Sequence, residues 1–183
     1  MASRLVAVFG ISGVGKSTFI RKYVAGHRDW IHVVASDVIK AATQQASEML
    51  RTAPLTKVIQ NQDLLVEGVA KIRADNADRN ILLDAHSVID SDNKYILIPV
   101  DVIRALRPDL LVFLCDDPQS IQTRRDLDNF RVRPKRDLNQ IEEYQRIALD
   151  TVQGYARELA IPVSVIKVND QASLVRALEV LRE

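Results

Sequence analysis

Gly10-Ile11-Ser12-Gly13-Val14-Gly15-Lys16-Ser17-Thr18 follows directly on the apolar run Leu5-Val6-Ala7-Val8-Phe9, and the reading of this junction decides the fold. Glycines at 10, 13 and 15 open backbone conformations closed to other residues and leave room for a ligand to touch the main chain. Their N–H groups form a concave nest for an anion, backed by the positive end of a helix that starts near Gly15. Lys16 has the reach to meet outer phosphates, the Ser17 hydroxyl can complete a Mg²⁺ shell, and Thr18 is placed to donate to the innermost phosphate. The spacing G-x-x-x-x-G-K-[ST] is that of a nucleoside triphosphate-binding loop, and it lies in the strand-to-helix setting the motif requires. Gly10, Ser12, Gly13, Val14, Gly15, Lys16, Ser17 and Thr18 are therefore the candidate ATP-binding residues. A glycine-rich turn that binds nothing is the competing reading, and the setting argues against it.

Outward from the loop, strand-like and helix-like runs alternate. Leu5 to Phe9 is apolar on both faces, as in a parallel sheet. A helix from about Gly15 to Ala25 follows, and Trp30 to Ala35 makes a second strand. Ser36 or Asp37 caps a helix running to about Arg51. Pro54 breaks it, and Leu55 to Ala74 carries apolar residues at helical spacing. Asn80 to Asp84 is a third strand, and Asp84 to Ile98 reads as irregular, with polar turn residues at Asp90 to Asn93. Pro99 opens a short helix to Leu106. Leu110 to Cys115 is a fourth strand, Pro118 to Leu127 a helix, Arg131 to Arg136 a basic loop, and Leu138 to Leu159 a long helix. Pro162 to Val168 is the fifth strand, and Asp170 caps a last helix to Leu181. The alternation predicts an α/β fold of the P-loop type, a five-stranded parallel sheet with helices on both faces. Right-handed crossovers then place Gly10, Ser36-Asp37, Asp84 and Asp116-Asp117 along one edge, where ligands bind.

Two constellations accompany the loop. Ile81-Leu82-Leu83-Asp84 is an apolar strand ending in an acid, where a phosphate-binding fold needs a carboxylate to hold Mg²⁺ or its waters. A helix-capping or salt-bridged aspartate fits the same pattern. Arg124, Arg125, Arg131, Arg133, Lys135 and Arg136 face only Asp126 and Asp128 in their stretch. Arginine forks match the oxygens of a transferring phosphoryl group, and a flap bearing them would also exclude water. A solvated face and a nucleic-acid contact remain open for that run. Cys115 reads as a small buried hydrophobe; His27, His32 and Trp30 read as structural.

The 183 residues carry a net charge of +1, so no global field points to nucleic acid or a membrane. One cysteine excludes an internal disulfide framework and fits a reducing, cytoplasmic compartment. The first apolar run is too short for a signal peptide, and no run approaches the roughly 20 apolar residues of a membrane span.

These residues resemble the archaeal-type adenylate kinases over nearly the whole chain. The loop, the stretch Asp84-Ala85-His86-Ser87-Val88-Ile89 and the arginine-rich segment after Asp116-Asp117-Pro118 carry the resemblance. Asp84 and His86 fall on the first and third positions of the family's Asp-Thr-His. The resemblance implies a Mg²⁺-dependent transfer of the γ-phosphoryl group of ATP to a nucleotide acceptor, AMP. It gives acceptor-binding roles to Ser36, Asp37, Arg51 and His86, and phosphoryl-neutralising roles to Lys16 and to Arg124, Arg131, Arg133 and Arg136. Ser17 and Asp84 hold the metal, and Arg146 lies on the following long helix. It also implies one domain over 1–183, with a lid at about 124–137, acceptor-side helices at about 37–76, and assembly as a homo-oligomer, a trimer. Arg51 and Arg146 also fit ordinary exposed helix positions, and His86 a hydrogen-bonded structural one.

Two departures fall on the acceptor side. Ala85 replaces the family's threonine, and Tyr95-Ile96-Leu97-Ile98-Pro99 lacks both glycines of its Gly-Tyr-Leu-Pro-Gly-Leu-Pro stretch. The alternatives are a kinase for another small acceptor, or a nucleotide-dependent switch or ATPase without kinase activity.

Overall fold

The strand that precedes the loop is the centre of the molecule. β1 (Leu5–Phe9) has every side chain fully buried, so both faces of the sheet are covered around it. The computed structural model describes residues 3–43, 55–91, 94–129 and 133–182. In chain order the elements after β1 are α1 (Lys16–Gly26), β2 (Trp30–Val34), α2 (Ala35–Thr43), α3 (Leu55–Asp75), β3 (Asn80–Asp84), β4 (Val88–Ser91) and β5 (Lys94–Leu97). Then come α4 (Val100–Leu106), β6 (Leu110–Cys115), α5 (Pro118–Leu127), α6 (Leu138–Leu159), β7 (Val163–Lys167) and α7 (Gln171–Glu179), closed by a 3-10 turn at Val180–Arg182.

Five strands form one parallel sheet in the order β2-β3-β1-β6-β7. Val8 lies opposite Asp84 on one side and Val112 on the other, so β1 and β3 end within a residue of each other and β6 runs on to Cys115. The chain leaves β1 first towards one edge and later towards the other, so the order reverses beside the loop. In open α/β sheets the crevice at such a switch point is the ligand site.

The apolar pattern of the sequence explains the helix packing. In α6, Ile141, Tyr144, Ala148, Val152 and Tyr155 are buried at three- and four-residue spacing, and Asp137 with Gln140 forms a capping box at its start. Asp170 caps α7 by accepting from the Ser173 N–H at 2.9 Å. Tyr23 stacks on His27 at 3.9 Å and meets the Trp30 ring edge-on at 6.2 Å, an aromatic cluster that bears out the structural reading of His27 and Trp30. The end of the helix expected from Ser36 to Arg51 lies outside the described residues; α2 is described to Thr43.

The stretch expected to be irregular is an antiparallel hairpin. β4 and β5 pair Val88 with Leu97 and Asp90 with Tyr95. Four-residue strands are too short to leave a periodic signature, and this pair is held from outside. The Tyr155 hydroxyl donates to the carbonyls of Ile98 and of Ser87, the latter at 3.4 Å, and the Tyr144 hydroxyl donates to the Val88 carbonyl at 3.0 Å. The Tyr144 ring stacks on Tyr95 at 5.0 Å. Burial pushes both buried tyrosine hydroxyls up from their ordinary titration range. Asp90, expected in a turn, is 5% exposed.

Candidate active site

The loop has the shape its glycines permit. Gly10 has φ of 149°, and a Cβ there would lie 2.6 Å from the Leu114 carbonyl oxygen, a backbone atom that cannot give way. Gly13 has φ of 91°, and its absent side chain leaves the space taken by the Arg125 stem, 2.6 Å from where a Cβ would stand. The N-cap of α1 is Gly15, which has no side chain to offer the first N–H groups of that helix. That is the arrangement in which a helix start receives an anion.

Lys16, Ser17 and Asp84 meet at the head of the loop. Lys16 is 6% exposed and its Nζ donates to the Gly10 carbonyl at 2.8 Å and the Ile11 carbonyl at 3.5 Å. The same Nζ lies 3.9 Å from Asp84 Oδ1 and 3.5 Å from His86 Nδ1. Ser17 Oγ donates to Asp84 Oδ2 at 2.5 Å. Burial alone would raise the Asp84 carboxyl, but the His32 ring, the Lys16 ammonium and the Ser17 hydroxyl more than offset it and hold it well below the usual carboxylate range. Asp84 is therefore an ionised carboxylate, 6% exposed, at the end of a buried strand.

This donor set suits Mg²⁺. The hydroxyl of Ser17 and the carboxylate of Asp84 are hard oxygen donors, the kind that cation prefers. Among the described residues no group of three His, Cys, Asp or Glu side chains could form an all-protein cage. A Mg²⁺ ion here would complete its shell from phosphate oxygens and water, as it does in nucleotide sites.

The flap arginines are tied to carboxylates and to the loop. Arg124 donates Nε to the Gly13 carbonyl at 3.0 Å and pairs through Nη2 with Asp116 Oδ2 at 2.5 Å. Arg133 donates Nε to Ser12 Oγ at 3.0 Å and pairs with Asp128. Its Nη1 is buried without a partner among the described residues. Arg136 is drawn to the hairpin, with Nη2 on Asp90 Oδ1 at 2.8 Å and the guanidinium 5.7 Å over the Tyr95 ring. Arg131 lies outside the described residues.

The acceptor-side residues are less gathered. Ser36 and Asp37 form the first turn of α2, and Asp37 pairs on the surface with Lys40 at 2.8 Å. His86 is exposed and beside Lys16. Arg51 lies outside the described residues. Arg146 makes an exposed pair with Asp150, four residues on, at 3.3 Å.

Sequence reasoning missed His32 and Asp90 at this site, and read Arg125 as one of the phosphate-facing arginines rather than as a partner of Asp90. His32 Nε2 lies 3.6 Å from Asp84 Oδ2 and is buried with no hydrogen-bond partner among the described residues. Asp90 takes Arg125 Nη2 at 3.3 Å on the oxygen that Arg136 leaves open, and Arg125 also donates to the Pro134 carbonyl at 2.9 Å. His32 pairs in register with Leu82, two residues before Asp84. Strand alternation applied across neighbouring strands would have put it on the Asp84 face.

Sheet order, loop and strand-end carboxylate define a P-loop nucleotide-binding domain of the kinase type. The chain belongs to the family described as AAA domain, whose model matches residues 9–142. It is 28% identical over 188 residues to a protein named adenylate kinase from Pyrococcus abyssi, covering 99% of this chain and 94% of that protein. It is 26% identical over 170 residues to the adenylate kinase of Methanothermobacter thermautotrophicus, covering 90% of each. Among solved structures, an unliganded sugar kinase from Janibacter matches with a TM-score of 0.61 at 21% identity, covering 98% of this chain and 95% of that one. A shikimate kinase from Bacteroides thetaiotaomicron matches with a TM-score of 0.59 at 13% identity, covering 98% and 99%. Those structures share the fold. Loop, fold and relatives agree on a phosphotransferase. Among the described residues no helix is long and apolar enough to cross a membrane.

Proposed function

We propose that the chain is a Mg²⁺-dependent nucleoside monophosphate kinase that moves the γ-phosphoryl group of ATP to AMP. The observation that carries this reading is the meeting of Lys16, Ser17 and Asp84 beneath the glycine loop, in a chain 26–28% identical over nine-tenths or more of its length to proteins named adenylate kinase. The loop N–H groups and the start of α1 hold the donor phosphates. Lys16 exchanges the Gly10 carbonyl for a phosphate oxygen and stabilises charge as it shifts towards the leaving oxygen. Ser17 and Asp84 hold Mg²⁺, which neutralises the phosphates when bound. Arg124 and Arg133 neutralise the transferring group, and the unpartnered Nη1 of Arg133, one residue fork away from Ser12, supports that assignment. Arg131 and Arg136 complete the flap, and Arg136 must release Asp90 to take part. Ser36, Asp37, Arg51 and His86 receive the acceptor. No covalent intermediate is needed, since positioning and charge neutralisation carry the rate. A cytoplasmic location and a homo-oligomeric, trimeric assembly belong to the same proposal.

The test is direct: purified protein with ATP, AMP and Mg²⁺ yields ADP. No product with any of the common nucleoside monophosphates overturns the reading. A second reading, a kinase for another small acceptor, is favoured by the hairpin that Tyr95 to Leu97 forms in place of a glycine-bearing stretch. Transfer from labelled ATP to a panel of nucleotides and metabolite hydroxyls separates the two. A dinucleotide bridging both sites raises the melting temperature of a kinase far more than ATP does. Equal shifts point to a nucleotide-dependent switch or ATPase.

A further inference from the structure

The carboxylate of Asp84 is approached from three directions, and only two belong to the loop and its helix. Lys16 and Ser17 come from the nucleotide side. The third neighbour, His32, stands on β2, the edge strand beside β3, with Nε2 3.6 Å from Asp84 Oδ2. That ring nitrogen is shut off from solvent and has no hydrogen-bond partner among the described residues. A buried polar atom without a partner is rare and destabilising, so its presence calls for a reason. Closing the gap by roughly half an ångström gives Nε2–H a normal hydrogen bond to Oδ2. The ring donates from Nε2 in that neutral tautomer and in the cation alike.

We propose that His32 is a positioning residue for the metal-holding carboxylate, fixing Asp84 Oδ2 so that Oδ1 faces the nucleotide. The proposal rests on the reading of Ser17 and Asp84 as the Mg²⁺-holding pair. Ser17 Oγ and His32 Nε2 both converge on Oδ2, whereas Oδ1 faces Lys16 across 3.9 Å. When Lys16 turns to the phosphates it leaves Asp84, and Ser17 is shared with the metal. His32 is the central residue of β2, outside the loop and α1 that meet the nucleotide. It therefore keeps the carboxylate in one rotamer through the cycle. The direct attraction of a buried His for a carboxylate also accounts for a polar ring in a strand that otherwise reads Trp-Ile-x-Val-Val. Groups that orient a metal ligand typically contribute 10–100-fold to metal affinity or activity.

His32→Leu, which fills the space without a donor, and His32→Gln, whose amide nitrogen reaches the same place, test the assignment. Mn²⁺ affinity of the protein–ATP complex is measured by electron paramagnetic resonance titration, and the Mg²⁺ dependence of turnover in parallel. His32→Leu is expected to weaken Mn²⁺ binding about 10-fold or more and to raise the half-saturating Mg²⁺ by a similar factor. The KM for ATP at saturating Mg²⁺ stays near that of the wild type, and His32→Gln recovers most of the loss. If His32→Leu binds Mn²⁺ as tightly as the wild type, the proposal is overturned and the metal reading stands. If the wild-type complex itself binds Mn²⁺ no better than ATP alone, both fall. Should His32→Leu fail to fold, His32→Asn, which keeps a polar group too short to reach Oδ2, must show the same loss relative to His32→Gln.

Discussion

Ser17 Oγ and Asp84 Oδ2 are 2.5 Å apart across 67 positions of sequence, so the hydroxyl and the carboxylate assigned to one metal are joined directly. The bond follows from topology. The loop follows β1, Asp84 ends β3, and the parallel register of the two strands sets Val8 beside Asp84. Helix α1 then starts at the height of the carboxylate.

Lys16→Ala is expected to lower turnover on the order of a hundredfold or more, the usual effect of deleting a group that stabilises transition-state charge. The structure adds a stability effect, because the buried Gly10 carbonyl loses the Lys16 ammonium as a donor and Asp84 loses a neighbouring charge. A loss of about 1–3 kcal/mol follows from stranded buried groups. Steady-state kinetics and urea unfolding read the two separately. Wild-type turnover in the variant would show that the loop is not the active site.

Acid should weaken the folded state through Asp84. Unfolded, its carboxyl titrates near the ordinary 3.8, and folding lowers it. The ionised form therefore contributes stability that is fully present above roughly pH 5 and is lost as pH falls through and below the unfolded value. Thermal unfolding between neutral pH and pH 3 should show that slope in the wild type. Asp84→Asn should start less stable and fall less steeply; an identical slope in both would refute the assignment.

Tyr155→Phe should destabilise by about 1–3 kcal/mol, because the Ile98 carbonyl loses the buried hydroxyl as a donor and Ser87 loses a second one. Those carbonyls flank the two strands of the hairpin, and Ile98 N–H already closes them by donating to Ser87 at 2.9 Å. Hydrogen exchange should therefore speed up first in residues 88–91 and 94–97. Uniform acceleration across the sheet would mean the hydroxyl does not tie the hairpin.

Much of the fold was legible because it is written locally. Leu5 to Phe9, Ile81 to Leu83 and Leu110 to Leu114 are apolar on both faces, and only a central parallel strand needs that. The loop was legible because its glycines and lysine sit in adjacent positions. What escaped depends on contacts distant in sequence. Asp90 looks like a turn residue until Arg125 and Arg136, 35 and 46 positions away, are folded onto it. His32 looks like a core histidine until β2 is set in register beside β3. The hairpin is held by tyrosines of a helix 56 and 68 positions further on.

The sheet order also dictates when this protein can begin to fold. Among the described residues β1 pairs with β3 and β6 and β2 with β3, so neither of the first two strands has a mate among those described before Asn80. At a synthesis rate of about 5–20 residues per second, the run from Phe9 to Asp84 takes roughly 4–15 seconds. For that interval the most water-averse segment of the chain has nothing to pair with. Once β3 emerges it serves two neighbours at once, so β1, β2 and β3 join as a unit, and β6 and β7 add to the other flank afterwards. The ligand crevice lies on the seam between those two stages of assembly, and its carboxylate arrives with the strand that starts the first.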